Sequence, residues 1–315
     1  MTTSNIDVSI IIVCMNNLKN LYPCLNSIKK YTKVKYETLV VAYLFSNENF
    51  IKAKQEFPWV KFIESNEIRG FSENNNLALK QAVGKYCFIV NDDTYIQMPV
   101  IDMLINSLEK TPNCAIISPT IHLPNGTLQM CGRTKITAWH WFLTTLRLFN
   151  EQKVISPYTN GKSIFQTYNI LGAAFLIPTQ LFKELGWFDE RYFFCPEDIA
   201  LSTKANKLGY KIYVDADVDL IHVYGGTWSN TITATQPAAL RGELIFHSNG
   251  NTFKYICLGI WAFLINFIGI ICTAIRYILK HNKKDKLRYI YKWHNMHAIF
   301  TNKSPKEIFI RYYKK

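Results

Sequence analysis

KYCFIVNDDT, residues 85–94, is the stretch on which the fold turns: the apolar run Tyr86–Val90 ends abruptly in Asn91-Asp92-Asp93-Thr94. A short apolar run without alternation reads as a strand buried on both faces, the kind that builds parallel sheets. Its acids then stand at the carboxyl edge of the sheet, where open α/β folds bind ligands. Two adjacent carboxylates there suit Mg²⁺ or Mn²⁺, and such an ion would bridge a diphosphate. Acids after a strand also serve as ordinary turn and cap residues, so the pair alone does not assign a function.

The same rhythm continues on both sides. Apolar runs at Val8–Cys14, Thr38–Phe45, Val60–Glu64 and Ala115–Ser118 alternate with helical patterns at Leu18–Tyr31, Asn49–Phe57, Ser72–Val83 and Val100–Lys110. This is the signature of β-α units in a mostly parallel α/β sheet. Ser72 is the expected N-cap of the third helix and Gly84 its expected stop. Residues 121–166 lose the rhythm: Asn125-Gly126 predicts a hairpin, TAWHWFLTTLRLF (137–149) has no decided form, and a mobile or acceptor-facing insertion is expected. Order returns with a strand at Ile170–Ile177, helices at Thr179–Leu185 and Glu197–Leu208, and strands at Lys211–Val214 and Val218–Val223.

Two further places carry chemistry. Cys195-Pro196-Glu197-Asp198 opens an amphipathic helix. Acids in a first helical turn are commonly caps favoured by the dipole, but such a carboxylate is also placed to take a proton from a hydroxyl. His222 ends a strand before Val-Tyr-Gly-Gly-Thr; a strand-end histidine is usually structural, yet beside a carboxylate-bound divalent ion it is a further ligand.

The order of these segments resembles a known family. NEIRGFSENNNLALKQAVGKYCFIVNDDT (Asn66–Thr94) and ILGAAFLIPTQLFKELGWFDERYFFCPEDIALSTKANKLGYKIYVDADVDLIHVYGGT (Ile170–Thr227) resemble family 2 glycosyltransferases, the rhamnosyltransferase-like branch in particular, over roughly residues 7–250. The resemblance implies a GT-A fold with a Rossmann-like sheet and the donor nucleotide on its amino-terminal half. It implies donor contacts at Arg69, Gly70, Asn75, Asn91, Asp92, Gly172 and Ala173, and a Mg²⁺ or Mn²⁺ site at Asp93, Asp92 and His222. Asp198 matches the catalytic base, with Glu197 beside it, and Gly186, Phe188, Asp189 and Glu190 match a turn that positions it. The implied reaction is inverting transfer of a hexosyl or deoxyhexosyl group from a nucleotide-sugar donor to a hydroxyl of a glycan or lipid-linked saccharide, in cell-surface polysaccharide biosynthesis.

Three departures shape the expectation. Val40-Val41-Ala42-Tyr43 lacks the family's acid after the second strand, so base recognition falls to Tyr43 or to backbone. The metal motif opens with Asn91 in place of Asp. Ala200 and Lys204 replace an Asp and an Arg that support the base. Two rival readings stand beside transfer. A sugar nucleotidyltransferase needs a basic, Gly-rich phosphate loop near its start, which MNNLK (15–19) does not offer. A non-catalytic scaffold on the same fold would keep the sheet and lose the chemistry.

Composition sets the remaining bounds. With 49% hydrophobic and 14% aromatic residues in 315, the chain buries a substantial core and is not a disordered segment. Eight cysteines without a CxxC pair read as reduced thiols, and the short apolar start at Val8–Met15, lacking a cationic lead, reads as a strand rather than a secretory signal. The net charge of +13 is concentrated in residues 276–315, where twelve Lys and Arg face only Asp285 and Glu307. Just before it, Tyr255–Ile275 holds 21 residues without a charged side chain, long enough to span a bilayer core of about 30 Å. One span would send the basic tail outward, against the tendency of basic residues to stay inside. The expectation is therefore a catalytic domain over 1–250 and a membrane-associating helical region over 251–315, attached to an anionic membrane at its cytoplasmic face. A buried core helix is the alternative for the apolar run, and nucleic acid is not expected as a partner.

Overall fold

In the computed structural model, Val8–Met15 (β1), Tyr36–Tyr43 (β2), Lys61–Ser65 (β3) and Tyr86–Val90 (β4) alternate with helices Leu18–Tyr31 (α1), Asn47–Glu56 (α2) and Phe71–Leu79 (α3). The structure describes residues 6–129, 131–146, 148–149, 162–223 and 228–313. The four strands lie in the order β3-β2-β1-β4, all parallel. Helices cover both faces, so alternate residues of β1 enter different cores: Ile10 and Ile12 pack with Leu21, Leu25 and Phe88, and Ile11 packs with Leu39, Ile89 and Phe175. Burial on both sides is why these strands carry no polar face.

The chain continues through Thr94–Ile96 (β5), Val100–Lys110 (α4), Cys114–His122 (β6), Leu128–Gln129 (β7) and Gly132–Arg133 (β8). Then come Ala138–Thr145 (α5), Ile164–Thr167 (β9), Asn169–Ile170 (β10), Ala174–Pro178 (β11), Thr179–Glu184 (α6), Glu197–Lys207 (α7) and Lys211–His222 (β12). The large sheet extends as β4-β11-β6-β12-β5, with β11 antiparallel to both neighbours and β8 paired separately with β10. Two compact units result. One comprises Met1–Lys135, Glu151–Asp189 and Asp198–Tyr224; the other comprises Ile136–Asn150, Glu190–Glu197 and Gly225–Lys315.

Several local expectations are changed by packing. Asn125-Gly126 does form the β6–β7 hairpin turn, with Gly126 at φ +80° and its N–H donating to the Leu123 carbonyl at 2.9 Å. TAWHWFLTT folds as α5, whereas residues 151–161 of the expected insertion lie outside the described residues. Ser72 is not the cap of α3 but a fully buried residue inside it. Gly70 holds the cap position, and its N–H donates to Glu73 Oε2 at 3.0 Å. Gly84 does not stop that helix, which ends at Leu79. A Cβ on Gly84 would stand 2.5 Å from the Ser9 nitrogen, so the residue is glycine because the chain passes against β1. The two strands expected at 211–223 are one, β12, broken in register between Asp215 and Asp219. At that break Asp215 accepts from the Asp217 N–H at 3.1 Å, the geometry of a bulge.

The second unit is helical: α5 with Trp228–Ser248 (α8), Thr252–Lys280 (α9), Lys283–Phe300 (α10) and Pro305–Tyr313 (α11). Its core joins Trp141, Leu244, Ala262 and Ile299. Helix α9 contains the long apolar run and buries Gly259, Ala262, Asn266, Ile270 and Thr273, four of them small or polar. Asn266 accepts from Asn295 of α10 at 2.9 Å. The opposite face exposes Phe253, Ile256, Ile260, Leu264, Phe267, Ile271, Ile275 and Ile278 at spacings of three and four. α9 packs one face into its unit and is long and apolar enough to cross a membrane.

Candidate active site

β4 ends in Asn91-Asp92-Asp93, beside Cys14 near the carboxyl end of its neighbour β1. The Asn91 N–H donates to the Ala173 carbonyl at 3.0 Å, fixing the loop as β4 ends. β5 then pairs antiparallel with β12, placing Thr94 opposite His222, and the Val223 N–H donates to the Asp93 carbonyl at 2.8 Å. This pairing brings together two residues far apart in sequence: His222 Nε2 lies 3.0 Å from Asp93 Oδ1, both side chains largely buried. His222 Nδ1 is hydrogen-bonded to Gln129 Oε1 at 2.7 Å. That bond fixes the ring and turns Nε2 toward the carboxylate, as outer partners of a metal-ligating histidine do.

Asp92 is crowded. Burial pushes its carboxyl up to about 7; the hydrogen bond with Cys14 opposes that rise and the Asp93 charge adds to it. Burial, with the Asp92 charge next, holds the Cys14 thiol well above its usual range, and burial pushes Cys24 up to about 12. Adjacent buried carboxylates repel, and a cation relieves that repulsion. Among the described residues no three His, Cys, Asp or Glu side chains converge as a ready metal cage. Asp93 and His222 would supply an oxygen and an imidazole donor to a divalent cation.

The expected donor contacts separate into two groups. Arg69 stands between the ends of β2 and β3: its N–H donates to the Tyr43 hydroxyl at 3.3 Å, Nη1 to Ser65 Oγ at 3.2 Å and Nη2 to Glu67 at 2.7 Å. Tyr43, offered by the sequence for base recognition, thus lies beside Arg69 and Gly70. The asparagines of α3 each bond protein groups. Asn74 accepts from Ser65 Oγ at 2.7 Å and donates to the Arg69 carbonyl at 3.2 Å; Asn75 donates to the Phe71 carbonyl at 2.9 Å. Asn76 bonds the Phe188 N–H at 3.1 Å and its carbonyl at 2.9 Å, so α3 grips the Gly186–Glu190 turn from 112 residues away.

Asp198 stands in the first turn of α7 and accepts from three donors. Arg133 Nη2 reaches Oδ2 at 2.7 Å, the Gly172 N–H reaches the same oxygen at 3.1 Å, and the Ile199 N–H reaches Oδ1 at 2.7 Å. Arg133 Nη2 also donates to the Ile170 carbonyl at 2.7 Å, so β8 carries the guanidinium to Asp198 through its pairing with β10. The sequence misses Arg133 because Gly132-Arg133 lies in the stretch without periodicity; it misses Gln129 for the same reason. Lys204 does not pair with Asp198: its Nζ donates to the Leu185 carbonyl at 2.6 Å, holding the chain before Gly186. Glu197 is buried as well. The turn at 224–227 after His222 lies outside the described residues.

Gly172 and Ala173 connect the two centres, since one donates to Asp198 and the other accepts from Asn91. A mostly parallel sheet with paired acids at its carboxyl edge and a carboxylate across a glycine-alanine strand start is the architecture of GT-A glycosyltransferases. Residues 9–167, half of the chain, match the model described as glycosyl transferase family 2, and the chain belongs to that family. It is 27% identical over 153 residues to the O-antigen biosynthesis protein RfbC of Myxococcus xanthus, a match covering 47% of this chain and 12% of that protein; the chain thus matches only a small part of that relative's length.

Solved structures share the fold. GalNAc-T7 with UDP, GalNAc and Mn²⁺ superposes with a TM-score of 0.58 at 17% identity, over 70% of this chain and 44% of that one. The mannosyltransferase PcManGT from Pyrobaculum calidifontis, in complex with GDP-Man and Mn²⁺, gives 0.52 at 15% identity, over 94% and 86%. S. aureus TarS 1–349 gives 0.52 at 17%, over 94% and 81%.

Proposed function

We propose that this chain transfers a hexosyl or deoxyhexosyl group, with inversion, from a nucleotide-sugar donor to a hydroxyl of a glycan or lipid-linked saccharide at the cytoplasmic face of a membrane. The observation that carries the reading is the link Asp93–His222, Asn91–Ala173, Gly172–Asp198, which sets a diphosphate-side centre and a base-side carboxylate on either side of one strand start. Asp198 takes the proton from the acceptor hydroxyl as its oxygen attacks the anomeric carbon; the bond from that carbon to the diphosphate oxygen breaks, and the nucleoside diphosphate leaves. Arg133 and the Gly172 N–H hold Asp198 in place. Arg69, Gly70 and Tyr43 line the nucleotide side, Asn91 and Asp92 the diphosphate, and Gly172 with Ala173 the sugar. Asp93, His222 and Asp92 would hold a divalent cation, which neutralises charge on the departing diphosphate. The role in surface polysaccharide assembly draws on the O-antigen relative, and the use of Mn²⁺ on the two solved complexes that contain it.

Residues 1–250 carry transfer in this reading, and 251–315 carry membrane attachment. Helix α9 lies in the membrane plane, because α10 runs along it: Asn266 meets Asn295, and Gly269 sits against the Lys292 side chain. Passing α9 through a bilayer would take Lys292 and its helix into hydrocarbon, at several kcal/mol per charge. An in-plane helix buries only its exposed apolar stripe.

Titration calorimetry with UDP, dTDP and GDP tests the donor centre. One nucleoside diphosphate is expected to bind more tightly with Mn²⁺ than with chelator, and Asp93→Asn is expected to weaken the metal-dependent binding by about 10- to 100-fold. Absence of binding under both conditions would favour the non-catalytic scaffold.

A further inference from the structure

Where α9 ends and α10 begins, the chain forms a surface cavity of about 580 Å³ lined by Arg276, Lys280, Asn282, Lys284, Asp285 and Arg288. Arg276 and Lys280 stand one turn apart on α9, and Lys284 and Arg288 one turn apart on α10, so two pairs of cations face one hollow across the connection. The single carboxylate is already engaged: Asp285 accepts from Asn282 Nδ2 at 2.7 Å and from Arg288 Nη1 at 3.5 Å. Among the described residues Arg276, Lys280 and Lys284 make no hydrogen bond or ion pair. Asn282 caps α10, whose 18-residue length adds the positive end of a helix dipole to the same hollow.

We infer that this cavity binds the phosphate of a membrane lipid headgroup, with preference for a phosphomonoester. The inference rests on the membrane reading of α9 and deepens it. Four cations against the single Asp285 carboxylate, beside a helix N-terminus, call for a compact anion carrying more than one charge. What selects a lipid over a soluble phosphate is the adjoining surface. The exposed stripe of α9 ends in Ile275, Ile278 and Leu279, interleaved in sequence with Arg276 and Lys280. A headgroup in the cavity therefore leaves its acyl chains beside apolar side chains rather than water. A phosphodiester headgroup offers one charge where a phosphomonoester offers up to two, which gives the cavity its preference.

Flotation of the full chain on vesicles tests this. The vesicles are phosphatidylcholine alone, phosphatidylcholine with phosphatidylglycerol, and phosphatidylcholine with phosphatidic acid, the last two matched in surface charge. The wild type is expected to bind phosphatidic acid vesicles best. The double variant Arg276→Gln/Lys280→Gln is expected to bind them about 30-fold more weakly, at about 1 kcal/mol per removed cation. Lys110→Gln/Lys207→Gln, which removes the same charge from exposed sites elsewhere, is expected to change binding by less than about threefold. All four positions are solvent-exposed, and circular dichroism checks that each variant is folded. Equal losses in the two doubles, or no preference for phosphatidic acid over phosphatidylglycerol in the wild type, would overturn the cavity assignment while leaving membrane attachment standing. Tight binding of inorganic phosphate without vesicles, lost in the Arg276/Lys280 double, would overturn the lipid source. A wild type that floats with none of the vesicles would overturn the membrane reading itself.

Discussion

Replacing Asp198 by Asn is expected to lower turnover by about 10²- to 10⁴-fold, the range lost with a general base, while nucleoside diphosphate affinity stays within about twofold because the change removes no donor contact. The substitution keeps the side chain's size and leaves one oxygen for Arg133 Nη2 and the Gly172 N–H, which now bond Oδ2 at 2.7 and 3.1 Å. What disappears is the ability to accept a proton. The new amide nitrogen would face the Ile199 N–H, now 2.7 Å from Oδ1, and Arg133 loses its counter-charge, so a loss of stability accompanies the loss of rate. Steady-state turnover and calorimetry on the same preparation separate these effects. Undiminished turnover would remove Asp198 from the role of base.

Arg133→Met is expected to damage stability and activity together. The Arg133 and Asp198 side chains are 15% and 11% exposed, so solvent screens their attraction little, and breaking such a buried pair costs about 3–5 kcal/mol through the charge left uncompensated. Urea denaturation reads the first effect as a lowered midpoint at unchanged slope. The second appears as lost turnover, since Asp198 loses the group that orients it. Arg133→Lys is expected to recover only part of both, because one ammonium does not reproduce the planar guanidinium that donates to Asp198 and to the Ile170 carbonyl together. A methionine variant with wild-type midpoint and turnover would show the pair to be dispensable.

The contrast between Asp93 and Arg133 shows what the sequence carries. Asp93 follows a strand whose uniform burial is written in five consecutive apolar residues, and His222 ends another strand; both ends are legible because strand periodicity and the ligand-binding edge of a parallel sheet are local consequences of composition. Arg133 reaches Asp198 only through a two-residue ribbon, β8 with β10, within a stretch that has neither helical nor strand period. No local signal connects residues 65 positions apart. Ser72 and Gly84 misled for a related reason. Each is a good punctuation residue by type, but Ser72 is drawn into α3 by burial and Gly84 is glycine because a strand backbone passes beside it.

The apolar run sits between these cases. Its length and lack of charge are plain in the sequence, but which of its residues turn inward is not. α9 packs Gly259, Ala262, Asn266, Ile270 and Thr273 against its own unit and leaves Phe253, Ile256, Ile260, Phe267, Ile271, Ile275 and Ile278 exposed. That is the reverse of a soluble amphipathic helix, whose large apolar residues face the core.

The central claim is sugar transfer by the Asp93 and Asp198 centres. It is tested most directly by incubating the full chain with UDP-, dTDP- and GDP-sugars and a lipid-linked saccharide acceptor, and following both products by mass spectrometry and NMR. The account requires one donor to yield nucleoside diphosphate and glycosylated acceptor in equal amounts, with the anomeric configuration inverted, and both to vanish in Asp198→Asn. Formation of a nucleotide sugar from sugar phosphate and nucleoside triphosphate, with release of pyrophosphate, would contradict it, as would retention of configuration.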